Sequence, residues 1–534
     1  MSLSTIIGAV VALVAGCYLL EGFIFSRRDA QEPLYIRPRI PLIGHLLDFM
    51  KKGPLYFDDV EAKYPHLAIF SLPIFSFKFY VVTDRQVFAA VQRNAKTVSF
   101  APFSKRVSKV LSDVSDLTVR AVDTLSADEE TRNFARQVHH IEATTLSNGN
   151  SLDRLNLVTS QEKLRLVDEL VLESSKDPVQ IELYEWVQHL VTISASTGFY
   201  GPKNPYKDPQ HEKDFWTFNS QIPSMTSGLA WLFAPKAHKA RNNNSVRYED
   251  YARAGGFETA SDFIKERSRA LIDNGSPVEE AARMNTGLDV ALISNYAGIA
   301  FWTVYHVLSH PGLITAVRDE VEKAVVRGEN EEDFTLDVSA LRTSCPLLVS
   351  TMQETQRLKT THSNIREVIS DTKITAGGKD VLLKKGNYVQ LHGSPVLRSQ
   401  ELWGDDADEF DPYRFIRMKK DSPPGVVPPN QLPTMSFPVW GVAPHVCPAR
   451  FYASTGVMVL VALVVLRLDI SPAGTRRGDS GDAAWQELEG GFNFSAVSRP
   501  QGPVHVSVRP RKGGMGKWGV VVGKPNTRLQ FSVA

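Results

Sequence analysis

The sequence predicts a mainly α-helical fold with small β-sheets, and three features of the chain support this class. Most of residues 86–366 has the amphipathic repeat of α-helices, whereas strand patterns are confined to residues 67–82, 380–391 and 504–508. Residues 290–317 contain no Lys, Arg, Asp or Glu, and residues 451–466 are almost entirely apolar. We expect both stretches to be helices buried in protein. The first contains polar residues and is interrupted at Pro311, and the second is too short to cross a bilayer.

Length and composition exclude several classes of protein. With 43% hydrophobic and 22% charged residues over 534 positions, the chain has the composition of a folded protein and not of a disordered one. The 60 basic residues balance 59 acidic ones, so we expect no nucleic-acid partner. The three cysteines, Cys17, Cys345 and Cys447, are too few for a disulfide framework and favour a reducing compartment.

The N-terminal segment predicts a membrane anchor. Residues 1–20 carry no charge, Glu21 interrupts the apolar run, and Arg27 and Arg28 close it. This length suits one spanning helix over residues 1–26, and a cleaved secretory signal is the alternative. Because the arginines follow the anchor, the positive-inside rule keeps the rest of the chain in the cytosol. Prolines recur in residues 27–45, which we interpret as a stiff extended tether.

Cys447 lies directly ahead of residues 451–466, where we expect a helix to begin. Unpaired amides and the positive end of the helix dipole favour a thiolate at such a position, and a thiolate binds soft metals. Zinc is disfavoured, because no second cysteine or histidine pair lies at ligand spacing. Haem iron needs only one protein ligand, although a lone cysteine is more often a small buried apolar residue.

Two arginine motifs precede this cysteine. Glu354 and Arg357 lie three residues apart on a predicted helix and can form a charge-assisted pair. Arg414 follows Pro412 in the sequence FDPYRF. Taken alone, the first motif is more commonly an exposed helical ion pair, and the second is explained by a proline turn with a surface arginine.

Together, Glu-x-x-Arg, then Pro-x-Arg-Phe, then a cysteine leading into a buried helix resemble the cytochrome P450 family of haem-thiolate monooxygenases. The resemblance covers nearly the whole chain, with residues 46–512 as the catalytic domain and 513–534 as a tail. It implies a long central helix over the haem, a helix-rich lobe and a smaller β-rich lobe. It also implies that Glu354, Arg357 and Arg414 form a buried triad and that Cys447 is the axial ligand of the iron of haem b.

The cysteine loop departs from the usual family pattern. Trp440 stands where phenylalanine is commonest, and Ala443 and Ala449 replace two glycines, which adds methyl groups where the backbone usually approaches its neighbours closely. We expect haem binding to survive with a shifted loop. The resemblance implies that Trp440, His445 and Arg366 contact the cofactor, the last two at the propionates, with a surface histidine as the alternative for His445.

The central helix departs from the family pattern as well. Ser294 and Asn295 stand where most members place an acid and a threonine that help deliver protons, so we expect a catalytic role for both. A core asparagine bonded to a backbone carbonyl is the alternative for Asn295. The run from Asn295 to Trp302 resembles the branch of the family that contains prostacyclin synthase and the sterol hydroxylases of bile-acid synthesis, which also has asparagine at this position. Trp440 agrees with that branch. That branch holds hydroxylases and an isomerase, so both reaction types stay open.

The resemblance implies a substrate pocket lined mostly by aromatic and small polar side chains. By position these are Phe100, Phe103, Leu292, Thr361, Asn364, Phe492 and Phe494. An apolar substrate with one or two oxygen atoms suits such a lining. Ordinary core packing explains any single phenylalanine equally well.

The resemblance therefore implies a monooxygenase that inserts one atom of O2 into an apolar small molecule, such as a terpenoid, sterol-like or polyketide intermediate of secondary metabolism. No flavin or nicotinamide motif is evident in the sequence, so electrons from NADPH are expected through a separate NADPH-cytochrome P450 reductase. The expected location is the endoplasmic reticulum membrane, spanned once, with the catalytic domain in the cytosol. A haem-thiolate isomerase or dehydratase that needs no reductase, and an inactive haem-binding relative, are the alternatives.

Overall fold

The structure, a computed structural model, divides the chain into two compact units. It describes residues 8, 12, 15–23, 29–74, 77–122, 134–226, 229–330, 332–361, 364–416, 432–433, 435–473, 484–491, 496–529 and 531. The first unit comprises residues 1–104, 360–402 and 433–446, and the second comprises residues 105–359, 403–432 and 447–534. Neither unit is one continuous piece of chain.

Helices account for most of the regular structure in the described residues. In chain order they are α1 (Gly44–Lys52), α2 (Leu55–Glu61), α3 (Arg85–Arg93), α4 (Ala101–Ser112), α5 (Asp116–Ala121), α6 (Phe134–Thr145), α7 (Asn150–Glu173), α8 (Leu183–Tyr200), α9 (Pro209–Asn219), α10 (Ile222–Met225), α11 (Ala230–Phe233), α12 (Pro235–Arg253), α13 (Gly256–Thr259), α14 (Asp262–Asp273), α15 (Val278–Asp289), α16 (Asn295–Ser309), α17 (Leu313–Val321), α18 (Val338–Ser344), α19 (Pro346–Lys359), α20 (Ser394–Leu397), α21 (Gln400–Trp403) and α22 (Arg450–Arg467). A π-helical turn, Val290–Ser294, joins α15 to α16.

The strands are short and form small sheets. They are β1 (Leu34–Tyr35), β2 (Ile69–Ile74), β3 (Phe77–Val82), β4 (Val98–Ser99), β5 (Val179–Glu182), β6 (Val325–Arg327), β7 (Asp333–Asp337), β8 (Asn364–Val368), β9 (Thr372–Ala376), β10 (Lys379–Leu383), β11 (Tyr388–Leu391), β12 (Leu468–Pro472), β13 (Gly490–Gly491), β14 (Arg499–Pro500), β15 (His505–Pro510) and β16 (Lys517–Val521). This confirms the predicted helix-rich fold with small β-sheets.

The first unit contains the largest sheet, with the strand order β1-β2-β3-β11-β8-β4. The apolar alternation of residues 67–82 produces the antiparallel pair β2 and β3, and β11 then joins β3 in parallel. On its other edge β11 pairs antiparallel with β8, which places Arg366 opposite Val389. The sheet therefore fixes one of the predicted cofactor-binding side chains within this unit.

The second unit is organised around the two apolar helices that the sequence predicts. Tyr296 of α16 packs so closely on α22 that a Cβ atom at Gly456 would lie 2.0 Å from the Tyr296 hydroxyl. Trp302 is fully buried and donates its Nε1 hydrogen to the carbonyl of Ser498, at 2.7 Å. A glycine at position 456 is therefore needed for this contact between the helices.

Most of the predicted membrane anchor lies outside the described residues. Within it, residues 15–23 are helical, and Leu19 and Phe23 are exposed. Among the described residues, two other helical stretches are long and apolar enough to cross a membrane, Val278–Ser309 and Arg450–Arg467, but most of each is buried inside the protein. These two stretches are core helices, as predicted.

Candidate functional site

Cys447 lies three residues before the start of α22, and its side chain is half-buried. Burial raises the pKa of the thiol to about 11, while the Ala449 amide and the charge of Arg450 act in the opposite direction. Arg450 also donates a hydrogen bond to the carbonyl oxygen of Cys447, at 3.0 Å. Because metal binding requires the thiolate, this thiol would lose its proton to solvent when a metal binds.

No cluster of three or more His, Cys, Asp or Glu side chains that could hold a metal ion occurs among the described residues. A metal at Cys447 would therefore have to bring most of its ligands with it. Haem iron does so, since the porphyrin supplies four nitrogen ligands and the protein supplies an axial one.

Arg366 lies on β8 and anchors the loop that leads to Cys447. Its Nη2 atom donates to the carbonyl oxygens of Val442 at 2.9 Å and of Ala443 at 3.1 Å. The side chain is completely buried, and its Nε and Nη1 atoms have no hydrogen-bond partner among the described residues. Burial lowers the pKa of Arg366 to about 10.

A buried guanidinium with two unused donors is costly unless an anion meets it. A carboxylate is a strong acceptor for either of these charged donors, so a haem propionate suits this position chemically. In the second unit the single cysteine fits the iron of a haem group, and in the first unit the unpaired donors of Arg366 fit a propionate.

His445 and Trp440 lie on the same loop. The ring of His445 packs against Phe100, with 5.3 Å between centroids, and Phe100 packs against Phe103 at 6.1 Å. Phe103 in turn contacts Tyr388 edge-on. Trp440 is half-buried and ends the short 3-10 turn Pro438–Trp440. The first unit therefore brings His445 together with two of the predicted pocket residues.

Glu354, Arg357 and Arg414 form a buried ion-pair network within the second unit. Glu354 and Arg357 lie on the same side of α19. Arg357 donates two hydrogen bonds to the Glu354 carboxylate, from Nε and Nη2, each at 2.8 Å. Arg414 Nε donates to the same carboxylate at 2.9 Å. Glu354 and Arg357 are fully buried and Arg414 nearly so.

The two guanidinium groups also bind the backbone that follows α21. Arg357 donates to the carbonyl oxygens of Ala407 and Glu409. Arg414 donates to the carbonyl oxygens of Trp403 and Asp406, both within 2.9 Å. The network therefore uses most of its donors to hold an irregular loop, 403–409, against α19.

Ser294 and Asn295 lie where the π-helical turn meets α16. The hydroxyl of Ser294 is buried and donates to the side-chain oxygen of Asn219, at 2.7 Å. Asn295 is exposed, although its neighbours Ser294 and Tyr296 are buried. Turns of π-helix are rare and are often found at functional sites. The turn therefore separates the two predicted catalytic side chains into different environments.

Asp289, which sequence reasoning missed, lies directly before the π-helical turn. It is fully buried, and its carboxyl accepts hydrogen bonds of 2.5 to 2.8 Å from the hydroxyls of Tyr200, Tyr206 and Tyr248. Burial raises the pKa of Asp289 to about 7, against the opposing effect of the three hydroxyls. Its only signal in the sequence is that it is the last charged residue before an uncharged stretch.

The remaining predicted pocket residues are described only in part. Leu292 is buried within the π-helical turn. Thr361 and Asn364 are half-buried, and Asn364 Oδ1 has no hydrogen-bond partner among the described residues. Phe492 and Phe494 lie outside the described residues.

Known proteins resemble this chain in sequence and in fold. The sequence model of the family Cytochrome P450 matches residues 297–482, which include the Glu354 network and Cys447. The cytochrome P450 monooxygenase nodJ of Hypoxylon pulicicidum is 28% identical over 94% of this chain and 95% of its own length. Cytochrome P450 7B1 of Mus musculus is 24% identical over 86% of this chain and 89% of its own.

Among solved structures, a cytochrome P450DA mutant heme domain matches with a TM-score of 0.66 at 15% sequence identity. The match covers 90% of this chain and 98% of that chain. At this identity the likeness concerns the fold alone.

Proposed function

We propose that this chain is a monooxygenase of the cytochrome P450 family, to which its sequence is similar, and that it inserts one atom of O2 into an apolar small molecule. Its substrate is a terpenoid, a sterol-like compound or a polyketide intermediate of secondary metabolism. The sterol-like option is supported by the similarity to a rat protein named 25-hydroxycholesterol 7-alpha-hydroxylase, which is 24% identical over 72% of this chain.

The observation that carries the proposal is the position of Cys447 directly before the buried helix α22. A single thiol stands before the buried helix α22, and the loop preceding it is held by a buried guanidinium that keeps two donors unpaired among the described residues. One soft ligand for iron and one partner for a propionate are the features that a haem-thiolate site requires.

When bound, haem b supplies the oxygen activation that no amino-acid side chain provides. The residues of this chain bind and orient it. Cys447 gives up its proton and donates electron density as a thiolate. Arg366 would donate to a propionate from Nε or Nη1, and His445 and Trp440 would contribute further cofactor contacts. The Glu354 network fixes the loop 403–409.

Proton handling is assigned to Asn295 and Ser294. The exposed carboxamide of Asn295 can donate a hydrogen bond to a ligand, but it does not release a proton. The hydroxyl of Ser294 is already committed to Asn219. A water molecule held by Asn295 would therefore have to carry each proton.

The proposal assigns substrate contacts to the side chains that the family resemblance places in the pocket. These are Phe100, Phe103, Leu292, Thr361, Asn364, Phe492 and Phe494.

The proposal also includes the cellular setting of the enzyme. The N-terminal residues 1–26 anchor the chain in the endoplasmic reticulum membrane, with the catalytic domain in the cytosol. Electrons from NADPH arrive through a separate NADPH-cytochrome P450 reductase on the same membrane.

The test is the carbon monoxide spectrum of the reduced, haem-loaded protein. We expect the red-shifted Soret band that a thiolate ligand produces, and we expect Cys447→Ala to lose it. Cys345→Ala is the matched control, because Cys345 is a buried cysteine remote in sequence from the loop and should leave the band unchanged. A band that persists in Cys447→Ala would show that another residue ligates the iron.

A second function, haem-thiolate isomerisation or dehydration, is favoured by the Ser294 to Asn219 hydrogen bond. An enzyme that rearranges its substrate needs neither delivered protons nor external electrons. The hydrogen bond that occupies the Ser294 hydroxyl would therefore not impair such a reaction. Turnover of candidate lipids with and without NADPH and reductase separates the two functions. Product formation only with the reductase supports the monooxygenase, and equal product without it supports the isomerase.

A further inference from the structure

The described residues after Arg511 are folded against the helix that follows Cys447. The 3-10 turn Lys512–Gly514 crosses the last turn of α22 so closely that a Cβ atom at Gly514 would lie 2.2 Å from the carbonyl oxygen of Leu466. The strand β16 then pairs in parallel with β7, and Trp518 stacks on Phe334 with 4.9 Å between ring centroids. This segment is therefore attached at the C-terminal end of α22.

Beyond β16 the chain is held by a buried ion pair. Arg342 pairs with Asp153 at 2.9 Å, and both side chains are buried. The tail completes this pair, because the amide of Asn526 donates to Asp153 Oδ2 at 2.6 Å and the carbonyl of Thr527 accepts from Arg342 Nη1 at 3.0 Å. Arg342 Nε also donates to Thr455, in the second turn of α22.

The last described residue of the segment reaches the first turn of the same helix. Phe531 stacks on Phe451, with 5.6 Å between centroids and 24° between the ring planes. The guanidinium of Arg450 lies over the Phe451 ring at 4.5 Å, and Arg450 donates to the carbonyl oxygen of Cys447. A continuous series of contacts thus leads from the tail to the cysteine.

We propose that residues 514–529 together with Phe531 form a strap that positions the cysteine turn, with Phe531 and Asn526 as positioning residues. The strap fixes α22 at both ends. Through Phe451 it holds the Arg450 side chain in the orientation that binds the Cys447 carbonyl, and through Arg342 it holds Thr455. The inference rests on the proposed role of Cys447 as the thiolate ligand, which the strap keeps in one orientation.

The test compares full-length Phe531→Ala with the unsubstituted protein. We expect faster hydrogen exchange at the Ala453 amide, which bonds to the Ala449 carbonyl in the first turn of α22. In the haem-loaded protein we expect the thiolate-type carbon monoxide band to decay about threefold to tenfold faster at a mildly elevated temperature, as the loss of one aromatic pair implies. Phe531→Tyr keeps the stacked ring and should restore both readouts.

Met515→Ala is the matched control, since Met515 is an exposed apolar residue of the same segment. A second variant, Asp153→Asn, weakens the attachment at Asn526 and should act in the same direction. Unchanged exchange at Ala453 in Phe531→Ala overturns the strap. If the unsubstituted protein gives no thiolate band at all, the proposed function fails, and the exchange measurement still decides whether the strap holds the turn.

Discussion

At the scale of single residues, the Glu354 carboxylate is the group on which two buried cations depend. Replacing it in Glu354→Gln leaves the buried Arg357 without a counter-charge and leaves Arg414 with only the half-exposed carboxylate of Asp406. We expect the free energy of unfolding to fall by about 3 to 5 kcal/mol, as when one partner of other buried pairs is removed. Urea unfolding of the haem-loaded protein measures this change.

Glu322→Gln is the control for that substitution, because the ion pair of Glu322 with Arg511 is partly exposed. Its loss should change the free energy of unfolding by no more than about 1 kcal/mol. Equal effects of the two substitutions would contradict the assignment of Glu354 as the centre of a buried network.

The residues that carry chemistry differed in how far the sequence could predict them. Glu354, Arg357, Arg414 and Cys447 belong to short motifs whose order along the chain is distinctive, so they could be named in advance. The unpaired donors of Arg366 could not, because they depend on which carbonyl groups the neighbouring loop presents. Asp289 was missed for a similar reason, since its tyrosine partners come from three separate elements.

At the scale of elements, Asp289 couples the central helix to its surroundings just before the π-helical turn. The pKa of about 7 lies above the usual value of 3.8, so the folded protein keeps a proton that the unfolded chain loses. The contribution of Asp289 to stability is therefore complete below about pH 4 and is lost as the pH rises through about 7.

We expect Asp289→Asn to remove this dependence, since an amide does not titrate in this range. The measurement is the free energy of unfolding of both proteins between pH 5 and pH 8. As the pH rises, the free energy of unfolding of the unsubstituted protein should fall relative to that of the variant. Tyr248→Phe removes one donor to the carboxylate and should move the transition to higher pH. A constant difference across the range would show that Asp289 is already ionised in the fold.

Long elements were easier to predict than short ones. The uncharged stretch 290–317 and the apolar stretch 451–466 gave α16 and α22, because burial on all sides leaves a continuous apolar signal. The π-helical turn was not predicted, since its extra residue does not alter the composition. The strand β16 was also missed, because it pairs with β7, which is far away in sequence.

At the scale of the whole molecule, the N-terminal segment should decide where the protein resides. Deleting residues 1–28 removes the uncharged run and the two arginines that follow it. We expect the shortened protein to move from the membrane pellet to the supernatant after ultracentrifugation, with its carbon monoxide spectrum unchanged. Retention in the pellet would point to a second membrane contact elsewhere in the chain.

The interleaved order of the segments has a consequence for synthesis on the ribosome. The strand β3 finds its parallel neighbour β11 only after about 300 further residues have been translated, which takes roughly 15 to 60 s. During that interval the nascent hairpin exposes an unpaired apolar edge, which is a template for aggregation. We therefore expect chaperones to bind this hairpin until the late strands emerge.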